Sequence, residues 1–537
     1  MNLITKRIGD KMKTYGDLYK SEILGFKKLG EKFLEGQLSV PDFKSKSGGM
    51  GVYAQRGKEG FMIRLRTPCG LISFEHLKLI QKYMKKYKIE SVHFTSRQAV
   101  QLHDLSLDEV CEIMMDAIDY DLFTRGGGGN YPRNVALSPM SGVEKGEAFD
   151  VTDFALQVSE YFIANASQFH LPRKLKVAFS NSCKDTACAT INDIGFVAVI
   201  ENGEPKFRVF LAGGMGNNPQ VAIPYDKLID PYEAIYYVEA YLRTFIELGN
   251  YKNRAKARSR FIPKEVGLEK FIECFERHVR RVKKTESFEK IEATIVGEEE
   301  WIPEISDTLN LKAQKQKDLY TVILHPRFGK LSMKMYDYIC NYMENALLHC
   351  NPECKIELRL SMQEELYVRN LTKEQANEFL EATKSENQFT NVMHSISCVG
   401  VPTCQIGVQN SRALLLSILE AIENNNLDGN LLPKIHISGC LNSCARHQIA
   451  ELGFAGKKVS IHGQLFDVYE LYAGGNVSLM DTHMGKLYGT ITVDNIPGFI
   501  LELGQMLERE EMCFHKFLNT NEEAFCDMLS KFLVVKE

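Results

Sequence analysis

The chain has 537 residues, of which 44% are hydrophobic and 25% are charged, and its formal net charge is −4. This is the composition of an ordinary globular protein, and the near-neutral charge predicts neither a nucleic-acid partner nor an acidic membrane surface. No stretch approaches the roughly 18 apolar residues of a membrane span, and the N-terminus lacks the apolar core of a signal peptide. We therefore expect a cytoplasmic location, where the 14 cysteines do not form a disulfide framework.

A long internal repeat organises the sequence. The segment FMIRLRTPCGLISFEHLKLIQKYM, from Phe61, matches YTVILHPRFGKLSMKMYDYICNYM, from Tyr320, and both predict strand, turn and helix. Further on, LPRKLKVAFSNSC matches LPKIHISGCLNSC, which pairs Cys183 with Cys444. An offset of about 260 residues is far longer than the roughly 20 to 50 residues of a solenoid repeat. It predicts an α+β chain with two copies of one domain and a site that both copies share.

The first copy contains a predicted hairpin with a cationic polar face. In ESVHFTSRQAVQLHDL, from Glu90, apolar and polar residues alternate, which is the pattern of a hairpin buried on one face. The apolar positions are Val92, Phe94, Val100 and Leu102. The polar positions are His93, Arg97, Gln101 and His103. This face is suited to an anionic ligand, although a merely solvated face remains an alternative.

The second copy keeps the apolar positions of this hairpin but not its charge. In KIELRLSMQEELYVRNL, from Lys355, the polar face of the hairpin carries two acidic and two basic residues, so its charges cancel. These are Glu357, Arg359, Glu365 and Arg369. The LPRK of the first copy also reads LPKI in the second, so a lysine is lost in this alignment. We expect one anion-binding site per chain, in the first copy.

Four cysteines form two close pairs near the end of the second copy. Cys398 and Cys404 are spaced C-x5-C in CVGVPTCQIG, and Cys440 and Cys444 are spaced C-x3-C in SGCLNSCARH. A C-x5-C pair fits the usual zinc knuckle poorly, whereas four thiolates are the usual ligands of a [4Fe-4S] cluster. The residues favour a cluster, with zinc and unligated cysteines as alternatives.

These motifs carry a family resemblance. C-x5-C followed by G-C-x-N-x-C is the signature of the siroheme-dependent sulfite and nitrite reductases, and the sequence resembles that family over nearly its whole length, duplication included. The resemblance implies a pseudo-two-fold α+β fold in which each copy is a ferredoxin-like half domain plus a mixed α/β cofactor-binding domain. It implies an N-terminal helical segment (1–50), the first half domain (51–125) and siroheme domain (126–285), a linker (286–318), the second half domain (319–385) and cluster domain (386–497), and a C-terminal helical tail (498–537).

The resemblance also implies the roles of individual residues. Cys398, Cys404, Cys440 and Cys444 would bind one [4Fe-4S] cluster, and Cys444 would also bridge to the siroheme iron. The macrocycle and its carboxylates would be contacted by His93, Arg97, Gln101, His103 and Arg173. The oxyanion substrate would be bound by Arg64, Arg133, Lys174 and Lys176. The basic run NRAKARSRF, from Asn253, resembles a further family segment, with solvated charge as an equal alternative for some of its members.

The implied activity is a six-electron reduction of a small inorganic anion. Lys174 and Lys176 are two residues apart, which places both on one face of a predicted strand, and sulfite-selective members of the family tend to carry both lysines. We therefore expect sulfite, with nitrite as the alternative. The chain has no flavin or nicotinamide fingerprint, so the electrons are expected from a ferredoxin or a separate reductase subunit. Two rivals are a non-catalytic iron-sulfur electron-transfer protein and a zinc-stapled binding module.

Overall fold

Within the residues that the structure describes, four five-stranded sheets organise the fold, two in each half. The computed structural model describes residues 3–57, 60–295, 302–349, 355–461 and 463–534. Part of the expected linker, residues 296–301, lies outside the described residues. The predicted α+β class and the internal duplication are confirmed. No helix in the described ranges is long and apolar enough to cross a membrane.

The first half begins with two helices and continues with two sheets. The first helices, and the strands and helices of the first sheet region, are α1 (Leu3–Leu34), α2 (Val40–Ser47), β1 (Val52–Ala54), β2 (Phe61–Leu65), β3 (Leu71–Ile72), α3 (Phe74–Lys86), β4 (Ser91–Phe94), β5 (Val100–Leu105) and α4 (Leu107–Ile118). The second region comprises β6 (Ala136–Leu137), α5 (Thr152–Ala164), β7 (Val177–Ser180), β8 (Ile194–Glu201), β9 (Glu204–Leu211), β10 (Ile223–Ile229), α6 (Ala234–Leu248), α7 (Ile262–Val266) and α8 (Leu268–Thr285).

The second half repeats this order and ends with three helices. Its first region comprises β11 (Leu311–Ala313), β12 (Tyr320–Leu324), β13 (Lys330–Ser332), α9 (Met333–His349), β14 (Glu357–Leu360), β15 (Leu366–Leu371) and α10 (Lys373–Thr383). The second region and the tail comprise β16 (Ile396–Ser397), α11 (Ser411–Asn424), β17 (Ile435–Ser438), β18 (Leu452–Ile461), β19 (Gln464–Ala473), β20 (Lys486–Thr492), α12 (Ile496–Glu510), α13 (Phe514–Thr520) and α14 (Glu522–Ser530).

The two halves exchange strands. The first sheet has the order β1-β2-β5-β4-β13, so its last strand comes from the second half. The corresponding sheet of the second half has the order β11-β12-β15-β14-β3, so its last strand comes from the first half. One buried core runs beneath both sheets and contains Ile63 and Val92 together with Leu324 and Val368. The halves therefore share a core as well as a site.

The turn before each exchanged strand has the same local cause. Gly70 and Gly329 have positive φ values of 85° and 64°, a conformation that favours glycine. Ser73 then caps α3 by accepting a hydrogen bond from the His76 N–H (3.1 Å), and Ser332 accepts one from the Met335 N–H (3.2 Å) in the second half. These are two of the repeat positions that match in the sequence.

The predicted hairpin of the first copy is confirmed as β4 and β5, which pair antiparallel with His93 opposite Gln101. Val92, Phe94, Val100 and Leu102 are fully or almost fully buried. The matching face of the second copy is not available to a ligand, since Arg359 donates to the Ser141 carbonyl (3.1 Å) and Arg369 donates to the Pro139 and Ser141 carbonyls (both 2.9 Å). Glu357 pairs with both arginines, and with Glu365 the face has two acidic and two basic side chains, as the sequence predicts.

The hydrogen-bond register corrects two details of the repeat. Ser138 N–H donates to the Phe179 carbonyl (3.1 Å), and Cys398 N–H donates in the same way to the Ile437 carbonyl (3.0 Å). The pairings Val177 with Ile194 and Ile435 with Leu452 continue this correspondence.

In this register Thr186, and not Cys183, matches Cys444, and Lys434 matches Lys176. Pairing Cys183 with Cys444 was wrong. The second copy keeps a lysine at the position of Lys176, whereas Lys174 matches Leu432, so the lysine of LPRK is absent there as expected. The NSC and LP motifs of the two copies align at an offset of 261 residues, whereas the strand pairing gives an offset of 258 residues. The motif alignment is therefore shifted by three residues from the structural alignment.

Candidate functional site

The cysteine loops of the second copy pack against the first sheet of the first copy. Arg56 donates to the carbonyls of Cys404 (3.2 Å) and Gly407 (3.0 Å), and its own N–H donates to the Thr403 carbonyl (3.3 Å). Ser96, in the β4–β5 turn, donates to the carbonyl of Cys444 (3.2 Å). The site is therefore built between the copies, as the repeat predicts.

The four paired cysteines converge on one place, although they are far apart in the chain. Burial raises the pKa of the Cys444 thiol, and Cys398, Cys440 and Cys404 raise it further because each adds negative charge nearby. Cys444 is nevertheless exposed, and the other three are partly exposed. Their thiol groups therefore face an accessible space between loops and are not packed into a core.

The spacing of the thiols favours a cluster over zinc. Among the described residues, no three of the four Sγ atoms lie mutually within 4.8 Å, whereas Zn–S bonds of about 2.3 Å put the sulfurs of a zinc site about 4 Å apart. Donors point at the sulfurs: Gly439 N–H donates to Cys398 Sγ (3.1 Å) and Asn442 Nδ2 donates to Cys440 Sγ (3.3 Å). Such donors stabilise thiolate ligands.

The first copy replaces these thiols with oxygen-bearing side chains. In the structural register Ser138, Ser182 and Thr186 occupy the positions of Cys398, Cys440 and Cys444. Thr186 donates to Ser138 (2.7 Å). A buried Lys315–Glu147 ion pair (2.6 Å) lies in the same region, where Glu147 also accepts from Asn181 (2.6 Å). The first copy therefore has a hydrogen-bonded polar network where the second copy has thiols.

The polar hairpin face holds Arg64 in a fixed position. With its amide oxygen turned toward Arg64, Gln101 accepts hydrogen bonds from Nη2 (2.6 Å) and Nε (3.1 Å), and its amide nitrogen donates to His93 Nδ1 (2.8 Å). Arg64 Nη1 donates to the Gly127 carbonyl (2.6 Å). His103 lies beside His93, with ring centroids 6.0 Å apart, and burial lowers the pKa of His103 well below its usual value.

Arg133 is surrounded by main-chain carbonyls. Its Nη1 donates to Gly128 (2.6 Å), Tyr131 (3.0 Å) and Gly126 (3.3 Å), and its Nη2 donates to Gly129 (2.7 Å). Burial lowers the pKa of Arg133 to about 9. The Arg133 guanidinium group thus holds the glycine-rich loop 126–129 through its carbonyl groups. Arg133, like Arg64, therefore has few N–H groups left to bind an anion.

Lys174 and Lys176 differ from these arginines because their side-chain nitrogens are not anchored by other groups in the described part of the chain. Both residues precede β7, where Leu175 makes a bridge to Pro132, so the segment is extended and the two side chains share a face. Across the described ranges, neither Nζ atom has a hydrogen bond or an ion pair. Burial is the main reason why the pKa of each lysine is lowered, Lys176 well below its usual value.

Four arginines complete a cation cluster around these lysines, which we define as Arg97, Arg173, Lys174, Lys176, Arg258 and Arg260. Neighbouring members lower one another's pKa values because they carry like charge. Burial, followed by the positive charges of Arg254 and Arg258, lowers the pKa of Arg173 to about 10. Arg97 donates to Asn192 (3.0 Å) and to the Val177 carbonyl (2.5 Å).

Arg258 and Arg260 were left unassigned in the sequence, although both belong to the basic run that starts at Asn253. They are 6% and 5% exposed, and Arg258 pairs with the fully buried Asp193 (3.0 Å). A Cβ at Gly214, whose φ is +153°, would lie 2.7 Å from Arg258 Nη2, so only glycine lets the two guanidinium groups approach the chain there. Their burial distinguishes Arg258 and Arg260 from the solvated residues of the same basic run, and burial could not be read from the sequence.

The site has one part that fits the carboxylates of siroheme and another that could bind an iron-sulfur cluster. Buried Nε atoms of Arg97, Arg258 and Arg260 lack partners within the described part of the chain, and unpaired buried donors call for an acceptor. Siroheme carries several carboxylates, which match planar guanidinium donors. The cysteine side of the site offers four thiols that could bind an iron-sulfur cluster as thiolates, and Lys174 is close enough to Cys444 that each affects the other's pKa.

Comparison with known proteins gives consistent results. The family "Nitrite/Sulfite reductase ferredoxin-like half domain" matches residues 53–117, and "Nitrite and sulphite reductase 4Fe-4S domain" matches residues 128–283. Both matches fall in the first copy, whereas the four paired cysteines lie in the second. The chain is 26% identical to the ferredoxin–nitrite reductase of Synechococcus elongatus, over 84% of this chain and 86% of that protein.

Two further relatives extend the comparison. A sulfite reductase [ferredoxin] of Mycolicibacterium paratuberculosis is 24% identical, over 81% of this chain and 80% of that protein. The solved structure of Mycobacterium tuberculosis NirA superposes with a TM-score of 0.76 at 22% identity, covering 91% of this chain and 92% of that one. At this identity the structural match supports the fold, including the ferredoxin-like half domains.

Proposed function

Because this chain belongs to the family of siroheme- and [4Fe-4S]-dependent nitrite and sulfite reductases, we propose that it reduces sulfite to sulfide in a six-electron reaction. It is an oxidoreductase whose cofactors are siroheme and a [4Fe-4S] cluster. The observation that carries the choice of sulfite is the pair of neighbouring lysines, Lys174 and Lys176, whose Nζ atoms make no hydrogen bond or ion pair in the described part of the chain and can take up protons when an anion binds.

Cys398, Cys404, Cys440 and Cys444 are proposed as the cluster ligands, with Cys444 shared with the siroheme iron. The four thiols converge, and no three of their Sγ atoms lie mutually within 4.8 Å among the described residues, which supports a cluster over a single zinc ion. When bound, the siroheme iron supplies a coordination site for the substrate and the cluster supplies stored electrons. The donors Gly439 N–H and Asn442 Nδ2 would stabilise the thiolate charge.

The proposed siroheme-binding residues are His93, Arg97, Gln101, His103 and Arg173, and we add Arg258 and Arg260. The unpaired Nε atoms of Arg97, Arg258 and Arg260 support this role, since carboxylates would satisfy them. Gln101 and His93 would act partly through Arg64, whose orientation they fix.

The four proposed substrate residues divide into two pairs. Arg64 and Arg133 are anchored by carbonyl groups and Gln101, so their charges are preorganised beside the site. Lys174 and Lys176 have no such anchors, and their N–H groups can bind oxyanion oxygens and pass protons to them as water leaves. A bound anion would restore the ammonium forms that burial disfavours, because opposite charge raises a lysine pKa.

Charge favours sulfite over nitrite at such a site. At neutral pH a substantial part of sulfite is the dianion, whereas nitrite is a monoanion, so two neighbouring protonated lysines attract the sulfite dianion more strongly. Nitrite reduction to ammonia is the second candidate, since several relatives, including those of Synechococcus elongatus and Spinacia oleracea, are named ferredoxin–nitrite reductases. Their names also support a ferredoxin as the one-electron donor of this chain.

The test is steady-state kinetics with both anions and one reduced ferredoxin. We expect kcat/KM to be higher for sulfite than for nitrite, with sulfide as the product of the first reaction. A wild-type enzyme that strongly prefers nitrite would overturn the sulfite assignment and leave the second candidate. A protein with both cofactors loaded but no turnover of either anion would instead indicate an electron-transfer role.

A further inference from the structure

A cysteine, a histidine and a glutamate meet in the first copy, where α6 ends against α8. The ligand atoms of Glu247, Cys274 and His278 all lie within 4.8 Å of one another. His278 Nε2 is 2.9 Å from Glu247 Oε2. None of the three belongs to the cation cluster or to the cysteine loops, so the group needs its own explanation.

The helix geometry brings the sulfur and the nitrogen together. Cys274 and His278 are four residues apart on α8, which places them on the same face one turn apart. They are 5% and 7% exposed, whereas the side chain of Glu247, on the penultimate residue of α6, is 45% exposed. The group therefore has two buried ligands and one that opens to solvent.

A positive charge already occupies the space between these groups. Arg277 Nη2 lies 2.5 Å from Glu247 Oε1 and 3.2 Å from Cys274 Sγ. The Arg277 side chain is 56% exposed, so it can leave without disturbing a core. The Glu247 carboxylate and the Cys274 thiol therefore already share one cation, and a metal ion could bind to the same two groups.

We propose that Glu247, Cys274 and His278 bind a divalent transition-metal ion of borderline softness, with Zn²⁺ as the foremost candidate, and that the ion displaces Arg277. Sulfur, imidazole nitrogen and carboxylate oxygen are all zinc ligands, and three protein ligands leave a fourth position for water. On binding, the Cys274 thiol releases its proton to solvent and the thiolate forms the bond to the metal. No electron is transferred in this step.

The position of the ligands suggests what the ion does. The segment between Leu248, where α6 ends, and Leu268, where α8 begins, carries Arg258 and Arg260 of the cation cluster. A metal that joins α6 to α8 closes the base of this segment. Binding to the folded chain alone also stabilises it. The proposal rests on these contacts and not on the choice of substrate.

The test uses the holoenzyme, so that the paired cysteines of the second copy are occupied by their own cluster. Chelator-treated protein is titrated with Zn²⁺ in competition with a chromogenic chelator, and X-ray absorption at the zinc edge reports the ligands. We expect one tight site per chain with one sulfur neighbour at about 2.3 Å and nitrogen or oxygen neighbours at about 2.0 Å.

Four variants give the site its identity. Cys274→Ser and His278→Gln are expected to weaken Zn²⁺ binding by at least about 100-fold, since losing even a supporting partner of a ligand costs about 10- to 100-fold. Arg277→Met removes the competing cation and is expected to tighten binding. Cys111→Ser is the matched control, since Cys111 is also buried on a helix, and it is expected to bind like the wild type.

Several results would overturn the proposal. Equal Zn²⁺ affinity in the wild type and in Cys274→Ser would place the ion at another cysteine, and several sulfur neighbours in the absorption spectrum would place it in the cysteine loops. Weaker Zn²⁺ binding in Arg277→Met would contradict the proposal that the ion displaces Arg277. If Cys274→Ser fails to fold, His278→Gln decides the question in the same titration.

Discussion

Replacing Lys176 with asparagine tests the reasoning about substrate charge most directly. The substitution removes an amine that has no hydrogen bond or ion pair among the described residues and that can take up a proton when an anion binds, and it leaves a shorter, neutral side chain that can still form hydrogen bonds. Both anions should lose affinity, and the dianion should lose more. We expect the specificity of the enzyme to shift from sulfite toward nitrite.

The size of the shift follows from Coulomb's law. Two unit charges about 4 Å apart interact by about 1 kcal/mol in bulk water and about 4 kcal/mol near a protein surface. Lys176 keeps some solvent exposure, although burial lowers its pKa, so we take an intermediate value of about 2 kcal/mol per unit charge. The additional charge of sulfite then makes its loss about 30-fold larger than that of nitrite, at 1.36 kcal/mol per tenfold.

The assay is the ratio of kcat/KM values for sulfite and nitrite, with the same electron donor, in the wild type and in Lys176→Asn. Lys434→Asn is the matched control, because Lys434 occupies the same register position in the second copy, one residue before β17. It is expected to leave the ratio unchanged. Equal losses for both anions in Lys176→Asn would refute the electrostatic argument and give Lys176 a structural role.

Three further predictions concern the proposed bridging cysteine, a buried ion pair and a buried histidine. Cys444→Ser should abolish the magnetic coupling between cluster and siroheme and, with it, six-electron turnover, whereas Cys183→Ser should leave cofactor content unchanged; coupled spectra with full activity in Cys444→Ser would assign the bridge to another residue. Asp193→Asn should lower the free energy of unfolding by about 3 to 5 kcal/mol in urea titrations, because it leaves Arg258 buried and unpaired, and a loss below about 1 kcal/mol would contradict this. Burial lowers the pKa of His447 to about 4, so the unfolded chain binds a proton that the folded chain does not; stability is then full above pH about 6.5 and falls by about 2 kcal/mol between pH 7 and pH 5, a loss that His447→Gln should remove from the urea titrations.

Much of the fold was predictable because its signals are local or repeated. The alternation of Val92 and Phe94 with polar residues predicts a hairpin buried on one face, and β4 and β5 have that form. The Gly70 and Gly329 turns appear in the sequence as matching letters because each turn needs the same backbone conformation. Pairing across the repeat was harder, since register depends on hydrogen bonds between strands and not on shared letters.

The candidate site was predictable in its residue types but not in their states. Spacing could bring Lys174 and Lys176 to one face, yet it could not show that their side-chain nitrogens are not anchored by other groups in the described part of the chain while Arg133 is surrounded by glycine-loop carbonyls. The burial of Arg258 depends on Asp193, which lies far away in the chain. Such contacts arise only when separate segments pack, so no local pattern records them.

The exchange of β3 and β13 makes the two halves inseparable as folding units. Each first-region sheet obtains its last strand from the other half, so a half expressed alone would leave β4 or β14 with an unpaired edge, which invites association with other chains. A protein with a single copy of this unit could complete the same sheet only by trading strands with a second molecule. The present chain carries both partners of that exchange on one polypeptide, so the two copies can differ, and here one carries the four paired thiols while the other carries the cation cluster.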